Sequence, residues 1–122
     1  LRNSSAASDV YKRQVHNNKR IISEENIKTM TSKYSNGYPD PSEPNVFPLE
    51  GYSYGFTFSV LEDSDAWASG APSGIYGWSG YHNTWFWIDP TNNLYALFMS
   101  NSIEPDFSIL KDFQIATYKF IN

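Results

Sequence analysis

The apolar residues between positions 54 and 60 alternate strictly with small or polar residues. The apolar positions are Tyr54, Phe56, Phe58 and Val60. A period of two places alternate side chains on opposite faces of a strand. The pattern therefore predicts one half-buried strand over residues 54–60. The following segment, residues 62–74, is rich in Ser, Gly, Asp and Pro and predicts a loop.

Three further apolar stretches predict strands over residues 75–80, 84–89 and 94–100. The short polar segment 90–93 predicts the turn between the last two strands. The last stretch, LYALFMS, is apolar at odd and even positions alike. A strand that is apolar on both faces is typical of a buried position, so we predict that this strand is central in its sheet.

Two helices are predicted, one on each side of the strand region. Ser23 is a suitable N-cap, and Glu24 and Glu25 favour the positive end of a helix dipole, which predicts a helix over residues 23–33. Asp106 is a suitable cap for a closing helix. The predicted apolar stripe of that helix is Ile109, Leu110, Phe113, Ala116 and Phe120. The order predicts an α/β fold of the α+β type, with an antiparallel sheet flanked by helices.

Composition excludes several classes of protein. The chain of 122 residues is 40% apolar and 17% aromatic, which argues against disorder. No apolar run approaches the roughly 20 residues of a membrane span, and the net charge of −4 argues against a nucleic-acid partner. Cysteine is absent, which leaves cytoplasmic and exported locations both open. His16 and His82 are too isolated to predict a metal site.

The first fourteen residues differ in character from the rest of the chain. DVYKRQ, residues 9–14, is the translation of a DNA sequence that resembles the end of a transposase-based sequencing adapter. Residues 1–14 are therefore interpreted as an adapter artefact or a disordered tail, and the domain is predicted over residues 15–122.

An ordered set of segments resembles the serine beta-lactamase-like family. GWSGYHNTWFWIDPTNNLYALFMSN is similar to the C-terminal sheet of class C beta-lactamases, D,D-peptidases and related carboxylesterases. In that family one strand carries a Lys-Thr-Gly, His-x-Gly or Trp-x-Gly triplet, and Trp78, Ser79 and Gly80 occupy this place. YSYGFTFSV and RIISEENIKTM are similar to earlier segments of the family. The resemblance implies the C-terminal part of a beta-lactamase or transpeptidase-like fold.

The resemblance also implies a function and a site. Trp78, Ser79, Gly80 and Tyr81 would form the substrate wall and the oxyanion side, with the backbone N–H of Tyr81 as an oxyanion donor. The family's nucleophilic Ser, its Lys and its Tyr are expected upstream, so no catalytic residue is expected in this chain, and the chain alone is expected to be inactive. The implied reaction is hydrolysis of a small ester, amide or peptide-like substrate through an acyl-enzyme, without a cofactor or metal.

Two positions depart from the family pattern. Trp78 offers a flat apolar ring where a beta-lactamase or D,D-peptidase has a cation, which favours an esterase-like branch over recognition of a substrate carboxylate. Asn83 stands where the family commonly has Gly. Because Asn tolerates the left-handed backbone better than most residues, we expect the turn to persist.

Other apparent motifs are interpreted as coincidental. Ser108 and Lys111 form a Ser-x-x-Lys pattern, but it follows the triplet instead of preceding it. Residues 34–36, Tyr-Ser-Asn, match the family's Tyr-x-Asn element in sequence. They lie closer to the Trp78–Gly80 triplet than that element does in the family. His82 is three residues from Ser79 with no carboxylate to orient it, so it is interpreted as a turn histidine at the rim of the pocket. Its alternative role is a substrate contact, not a general base.

Two alternatives remain open from the sequence. Trp78, Trp85 and Trp87 could form an exposed platform of a carbohydrate-binding domain, although the terminal helices argue against it. The chain could also belong to a family member that has lost its catalytic residues and acts in binding or regulation.

Overall fold

A computed structural model describes residues 15–16, 19–34, 49–104 and 106–121. The strands are β1 (Val15–His16), β2 (Lys19–Arg20), β3 (Tyr52–Tyr54), β4 (Ser59–Leu61), β5 (Tyr76–Gly80), β6 (Thr84–Asp89) and β7 (Leu94–Phe98). The helices are α1 (Glu24–Met30), α2 (Ser64–Trp67) and α3 (Phe107–Ile121). The interpretation of residues 1–14 lies outside the described residues and stays a prediction.

Strands β3 to β7 form one five-stranded antiparallel sheet in sequence order, and β1 and β2 form a separate two-stranded sheet. One face of the sheet packs against α3. Trp85 and Trp87 of β6 share a buried cluster there with Leu110 and Tyr118 of the helix. The predicted α+β fold class, an antiparallel sheet flanked by helices, is confirmed.

The predicted single strand over residues 54–60 is wrong, because this segment is a hairpin. Gly55 N–H donates a hydrogen bond to Phe58 C=O at 2.9 Å, and Tyr54 pairs with Ser59 across the turn. Thr57 has φ 71°, which no regular strand contains. The turn lies against α1, where Phe56 N–H donates to Met30 C=O at 3.0 Å. A Cβ atom at Gly55 would overlap that carbonyl oxygen, so the close approach requires glycine.

The first two helices differ from their predicted bounds. The Ser23 hydroxyl accepts a hydrogen bond from Asn26 N–H at 3.1 Å, which confirms the predicted N-cap. The helix nevertheless ends at Met30 instead of residue 33, where the chain turns towards the β3–β4 hairpin. Helix α2 lies inside the predicted loop 62–74. The Asp63 carboxylate begins it by accepting from the N–H groups of Asp65 and Ala66.

Strand β7 lies at the edge of the described sheet, so the prediction of a central position is wrong there. Ala96 faces α3 and is buried. On the opposite face Tyr95 and Leu97 are 47% and 57% exposed. Among the described residues, the second apolar face of LYALFMS is therefore exposed. The apolar residues on both faces did not indicate burial between two layers.

The closing helix has the predicted cap but a different buried stripe. The Asp106 carboxylate accepts from Ser108 N–H at 2.9 Å and from the Ser108 hydroxyl, and these bonds lower the pKa of Asp106. The buried positions are Leu110, Gln114 and Tyr118. Ala116 and Phe120 of the predicted stripe are exposed, and Ile109 and Phe113 are half-buried. An apolar stripe alone therefore does not describe the docked face of α3.

Gln114 is buried because its amide has a partner at each end. Its Oε1 accepts from Trp67 Nε1 at 2.7 Å, and its Nε2 donates to the Tyr52 hydroxyl at 3.1 Å. A buried amide that lacked these partners would cost several kcal/mol, on the order of 2–7. The two bonds connect α3 to α2 and to β3, and they set the position of the helix along the sheet.

A second polar cluster is centred on Asp89, which has no solvent exposure. The Tyr118 hydroxyl donates to Asp89 Oδ2 at 2.9 Å and accepts from Trp87 Nε1 at 3.2 Å. Asn92 donates to both carboxylate oxygens, from its N–H at 3.0 Å and from its Nδ2 at 2.7 Å. This cluster joins α3 to the β6–β7 turn.

We expect the stability of the fold to fall as the pH rises above about 10. Burial raises the pKa of Tyr52 and Tyr118 above the ordinary value of 10.0, and for Tyr118 the Asp89 carboxylate raises it further. The unfolded chain releases these protons first, so their contribution is complete below pH 10 and is lost progressively above it. Urea unfolding between pH 8 and about 11.5 measures the slope. The free energy of unfolding should fall less steeply with pH in Tyr118→Phe than in the unmodified chain. Equal slopes would contradict the contribution of the Tyr118 phenol.

Candidate functional site

The site predicted at Trp78–Gly80 lies at the end of β5, where only one neighbouring strand accompanies it. β6 pairs with all of β5, ending at Gly80 and Thr84. β4 pairs only at the other end, through Ser59 with Gly77 and Val60 with Tyr76. Because β4 is cut short by its hairpin turn, it does not extend along residues 78–80. We call this part of the strand the β5 edge.

Backbone groups of β5 face this edge at alternate residues. The C=O groups of Ile75 and Gly77 accept hydrogen bonds from β4, from Leu61 N–H at 2.9 Å and from the Ser59 hydroxyl at 3.0 Å. In an antiparallel strand the backbone groups of every second residue point to the same side. Ser79 therefore directs its N–H and C=O to the β5 edge, and Tyr81 is the first residue of the turn that follows the strand. Such an edge can bind an extended ligand or a carbonyl oxygen.

The side chains of the predicted wall do not share one face of the sheet. Trp78 lies across from Phe86 and Leu97, on the face opposite α3. Ser79 lies across from the buried Trp85, on the face that packs against α3. Among the strand residues of the predicted wall, Trp78 extends its side chain from the outer face, and Ser79 directs its backbone groups to the β5 edge.

Trp78 is the accessible tryptophan of the chain. It is 38% exposed, whereas the other three tryptophans are at most 7% exposed. Its ring lies 5.6 Å from the Tyr54 ring at 54°, and burial raises the pKa of the Tyr54 phenol. The two tilted rings form an aromatic surface beside the β5 edge, and the contribution of Tyr54 to it was not predicted.

The turn that follows contains the remaining predicted residues. Tyr81 is 81% exposed, and its ring lies 5.2 Å from that of His82 at 87°. His82 is also exposed, and no hydrogen bond joins it to Ser79 in the part of the chain that the structure describes. The arrangement provides an accessible imidazole at the rim of the site. It provides no serine–histidine pair.

Asn83 ends this turn with φ 58°, which confirms that asparagine sustains the left-handed conformation expected there. Its side chain is buried, and this was not predicted. Its Nδ2 donates to Glu104 C=O at 2.9 Å, and its Oδ1 accepts from Asp106 N–H at 3.2 Å. An asparagine at a position that requires only the left-handed backbone was the one available signal in the sequence. Its side-chain partners could not be identified from it, because they lie more than twenty residues away.

The coincidental Ser-x-x-Lys pattern has other contacts. The Ser108 hydroxyl donates to Asp106 in the cap of α3, and Lys111 Nζ lies 5.1 Å above the Trp67 ring. Both side chains thus interact with α3 or its packing partner. Tyr34 N–H donates to Tyr54 C=O at 2.8 Å, while residues 35 and 36 lie outside the described residues.

The exposed tryptophan platform is contradicted. Trp85 and Trp87 are 4% and 2% exposed because the α3 face of β6 is the centre of the core. Trp78 points to the other face of the sheet. The three rings therefore cannot form one surface for sugar stacking.

The described residues contain neither a cluster of metal ligands nor a membrane-spanning helix. No group of three or more His, Cys, Asp or Glu residues there could hold a metal ion. None of the helices in the described ranges is both long enough and apolar enough to cross a membrane.

The sequence of the chain matches a known protein family. The family model described as Beta-lactamase matches residues 4–118. The chain belongs to the beta-lactamase family. Membership confirms the resemblance carried by the Trp78–Gly80 triplet and supports hydrolase chemistry of the beta-lactamase-related kind. No curated protein matches the chain closely enough to identify a nearer relative.

Proposed function

We propose that this chain forms the substrate wall and the oxyanion side of a serine hydrolase that acts on an ester or amide through an acyl-enzyme. Family membership supports hydrolase chemistry. The observation that carries the proposal is the β5 edge, where Ser79 directs its backbone groups to the side on which β4 does not extend and Tyr81 follows at the start of the turn. A backbone N–H held on a strand stabilises developing negative charge without reorganising.

The proposed reaction needs groups that this chain does not provide. A serine upstream attacks the substrate carbonyl, and an upstream Lys and Tyr move the protons. The carbonyl oxygen gains negative charge and accepts from Tyr81 N–H and from the N–H of that serine. The leaving group departs with a proton, and water then hydrolyses the acyl-enzyme. Ser79 is a substrate contact in this scheme, and His82 lies at the rim.

The proposed substrates carry no charge on the group that lies beside the β5 edge. Trp78 and Tyr54 present aromatic rings there, 5.6 Å apart. An indole has one N–H donor and no positive charge, so it does not neutralise a substrate carboxylate as Lys does. Esters and amides with an uncharged group at this position are therefore favoured over beta-lactams and peptides that end in a carboxylate.

Exchanging this ring for a cation tests the proposed preference. In the polypeptide that includes the upstream residues, Trp78→Lys should lower kcat/KM for 4-nitrophenyl butyrate about tenfold and raise it about tenfold for an ester bearing a carboxylate, because a charge-assisted hydrogen bond replaces an apolar contact. Steady-state hydrolysis of the two esters measures the ratio.

The matched control is Phe86→Lys. Phe86 lies beside Trp78 on the same face and is also 38% exposed. It is on β6, one strand away from the β5 edge, so the preference should not change. Equal shifts in both variants would contradict a specific role of Trp78, and preferred hydrolysis of the carboxylate ester by the unmodified protein would contradict the proposed substrate class.

A non-catalytic relative is the second candidate. A family member that has lost its upstream serine, lysine and tyrosine would keep the same β5 edge as a binding surface. The accessible Trp78 is compatible with this alternative, and failure of the polypeptide with its upstream residues to hydrolyse either ester would favour it.

A further inference from the structure

Asn83 makes more contacts than its turn requires. A three-residue hairpin loop needs a residue that tolerates the left-handed conformation at its third position, and asparagine or glycine meets that need. Asn83 is in addition only 3% exposed, and both ends of its amide are hydrogen-bonded to the segment before α3. The side chain therefore connects two parts of the chain.

Asn93 shows what the backbone alone requires. It also has a left-handed conformation, with φ 52°, and it also lies in a hairpin turn of the same sheet, between β6 and β7. Its side chain is exposed. The two asparagines thus differ in the environment of the amide while they share the backbone conformation.

The connection made by Asn83 reaches the most exposed part of the proposed site. The turn contains only three residues between the last ladder pair of Gly80 and Thr84, and Tyr81 is the first of them. A Cβ atom at Gly80 would overlap the Thr84 hydroxyl, so the two residues approach closely across the last ladder pair. The ladder fixes one end of the turn, and Asn83 fixes the other end against Glu104 and Asp106.

We propose that Asn83 is a positioning residue that holds the β5–β6 turn, and with it the backbone N–H of Tyr81, against the start of α3. The oxyanion role of Tyr81 rests on the proposed function. The connection between the turn and the helix does not. Asp106 donates its backbone N–H to Asn83 Oδ1, and the carboxylate of the same residue caps α3. The turn and the start of the helix are therefore held together.

Asn83→Gly tests the side-chain hydrogen bonds without changing the backbone requirement. Glycine adopts the left-handed conformation but makes neither of the two side-chain hydrogen bonds. Hydrogen exchange measured by mass spectrometry on the 122-residue chain provides the readout. We expect exchange about tenfold faster in peptides that cover residues 80–84 and 104–108, with no change in a peptide that covers β6 after residue 85. Asn93→Gly is the matched control and should change exchange less than about twofold.

Asn83→Asp provides a second variant in case glycine unfolds the chain. An aspartate keeps an acceptor for Asp106 N–H and loses the donor to Glu104 C=O, so the amide of Asp106 should stay protected while the turn loosens. Uniformly faster exchange over the whole sheet would show a merely structural role and overturn the proposal. Equal effects of Asn83→Gly and Asn93→Gly would also overturn it. Because the readout requires no hydrolysis, failure of this proposal is distinguishable from failure of the proposed activity.

Discussion

Replacing Asp89 with alanine is expected to lower the free energy of unfolding by about 3–5 kcal/mol, a large part of the total for a domain of this size. The carboxylate is fully buried and accepts from the Tyr118 hydroxyl and from two donors of Asn92. Alanine leaves these donors without their acceptor, and the Tyr118 hydroxyl in turn bonds Trp87 Nε1. The loss therefore spreads from the β6–β7 turn to the docked face of α3.

Urea unfolding followed by circular dichroism measures this effect. Asp112→Ala is the matched control because Asp112 is an exposed residue of α3, and it should change the free energy of unfolding by less than about 0.5 kcal/mol. Asp89→Asn should lower the free energy of unfolding by an amount between those of Asp89→Ala and Asp112→Ala, because its amide oxygen still accepts from the Tyr118 hydroxyl. A loss below about 1 kcal/mol in Asp89→Ala would contradict the role given to the cluster.

Strands whose signal was local were predicted correctly. The aromatic stretch with polar ends predicted residues 84–89, and β6 has these bounds. The N-cap at Ser23 and the cap at Asp106 were likewise predicted because their partners lie within three residues. Each of these features depends on contacts that neighbouring residues supply, so a single segment contains the information.

Features that depend on distant partners were missed or wrong. The alternation over residues 54–60 could not reveal a hairpin whose turn is set by the contact between Gly55 and Met30. Burial of Gln114 depends on Tyr52 and Trp67, which are 62 and 47 residues away. The pattern of α3 alone marked Phe120 as a core residue, yet it is 91% exposed.

The strand and the turn that hold the candidate site were predictable for the same reason, because their signals are local. The Trp78–Gly80 triplet is a local signal, and the structure places it on a strand followed by a turn. The end of the pairing between β4 and β5 at Gly77 depends on where the β3–β4 hairpin ends, which the triplet does not encode. The connection from Asn83 to Glu104 spans 21 residues and could not be predicted from the turn.

Removing the N–H of Tyr81 is expected to have the largest effect on activity. Tyr81→Pro deletes one proposed oxyanion donor, and loss of such a donor lowers kcat about 10²–10³-fold. Proline changes the side chain as well, so Tyr81→Ala, which keeps the N–H, is the necessary control. Because the Tyr81 side chain is 81% exposed, the alanine variant should retain its stability and should keep kcat within about threefold of the unmodified enzyme.

The direct test compares kcat for 4-nitrophenyl butyrate in these two variants, in the polypeptide that includes the upstream residues. Thermal unfolding establishes that both are folded. The proposal predicts that Tyr81→Pro is slower than Tyr81→Ala by about 10²-fold or more, with little change in KM. A difference of less than about tenfold between two folded variants, at 1.4 kcal/mol per factor of ten, would contradict the role of the β5 edge as the oxyanion side.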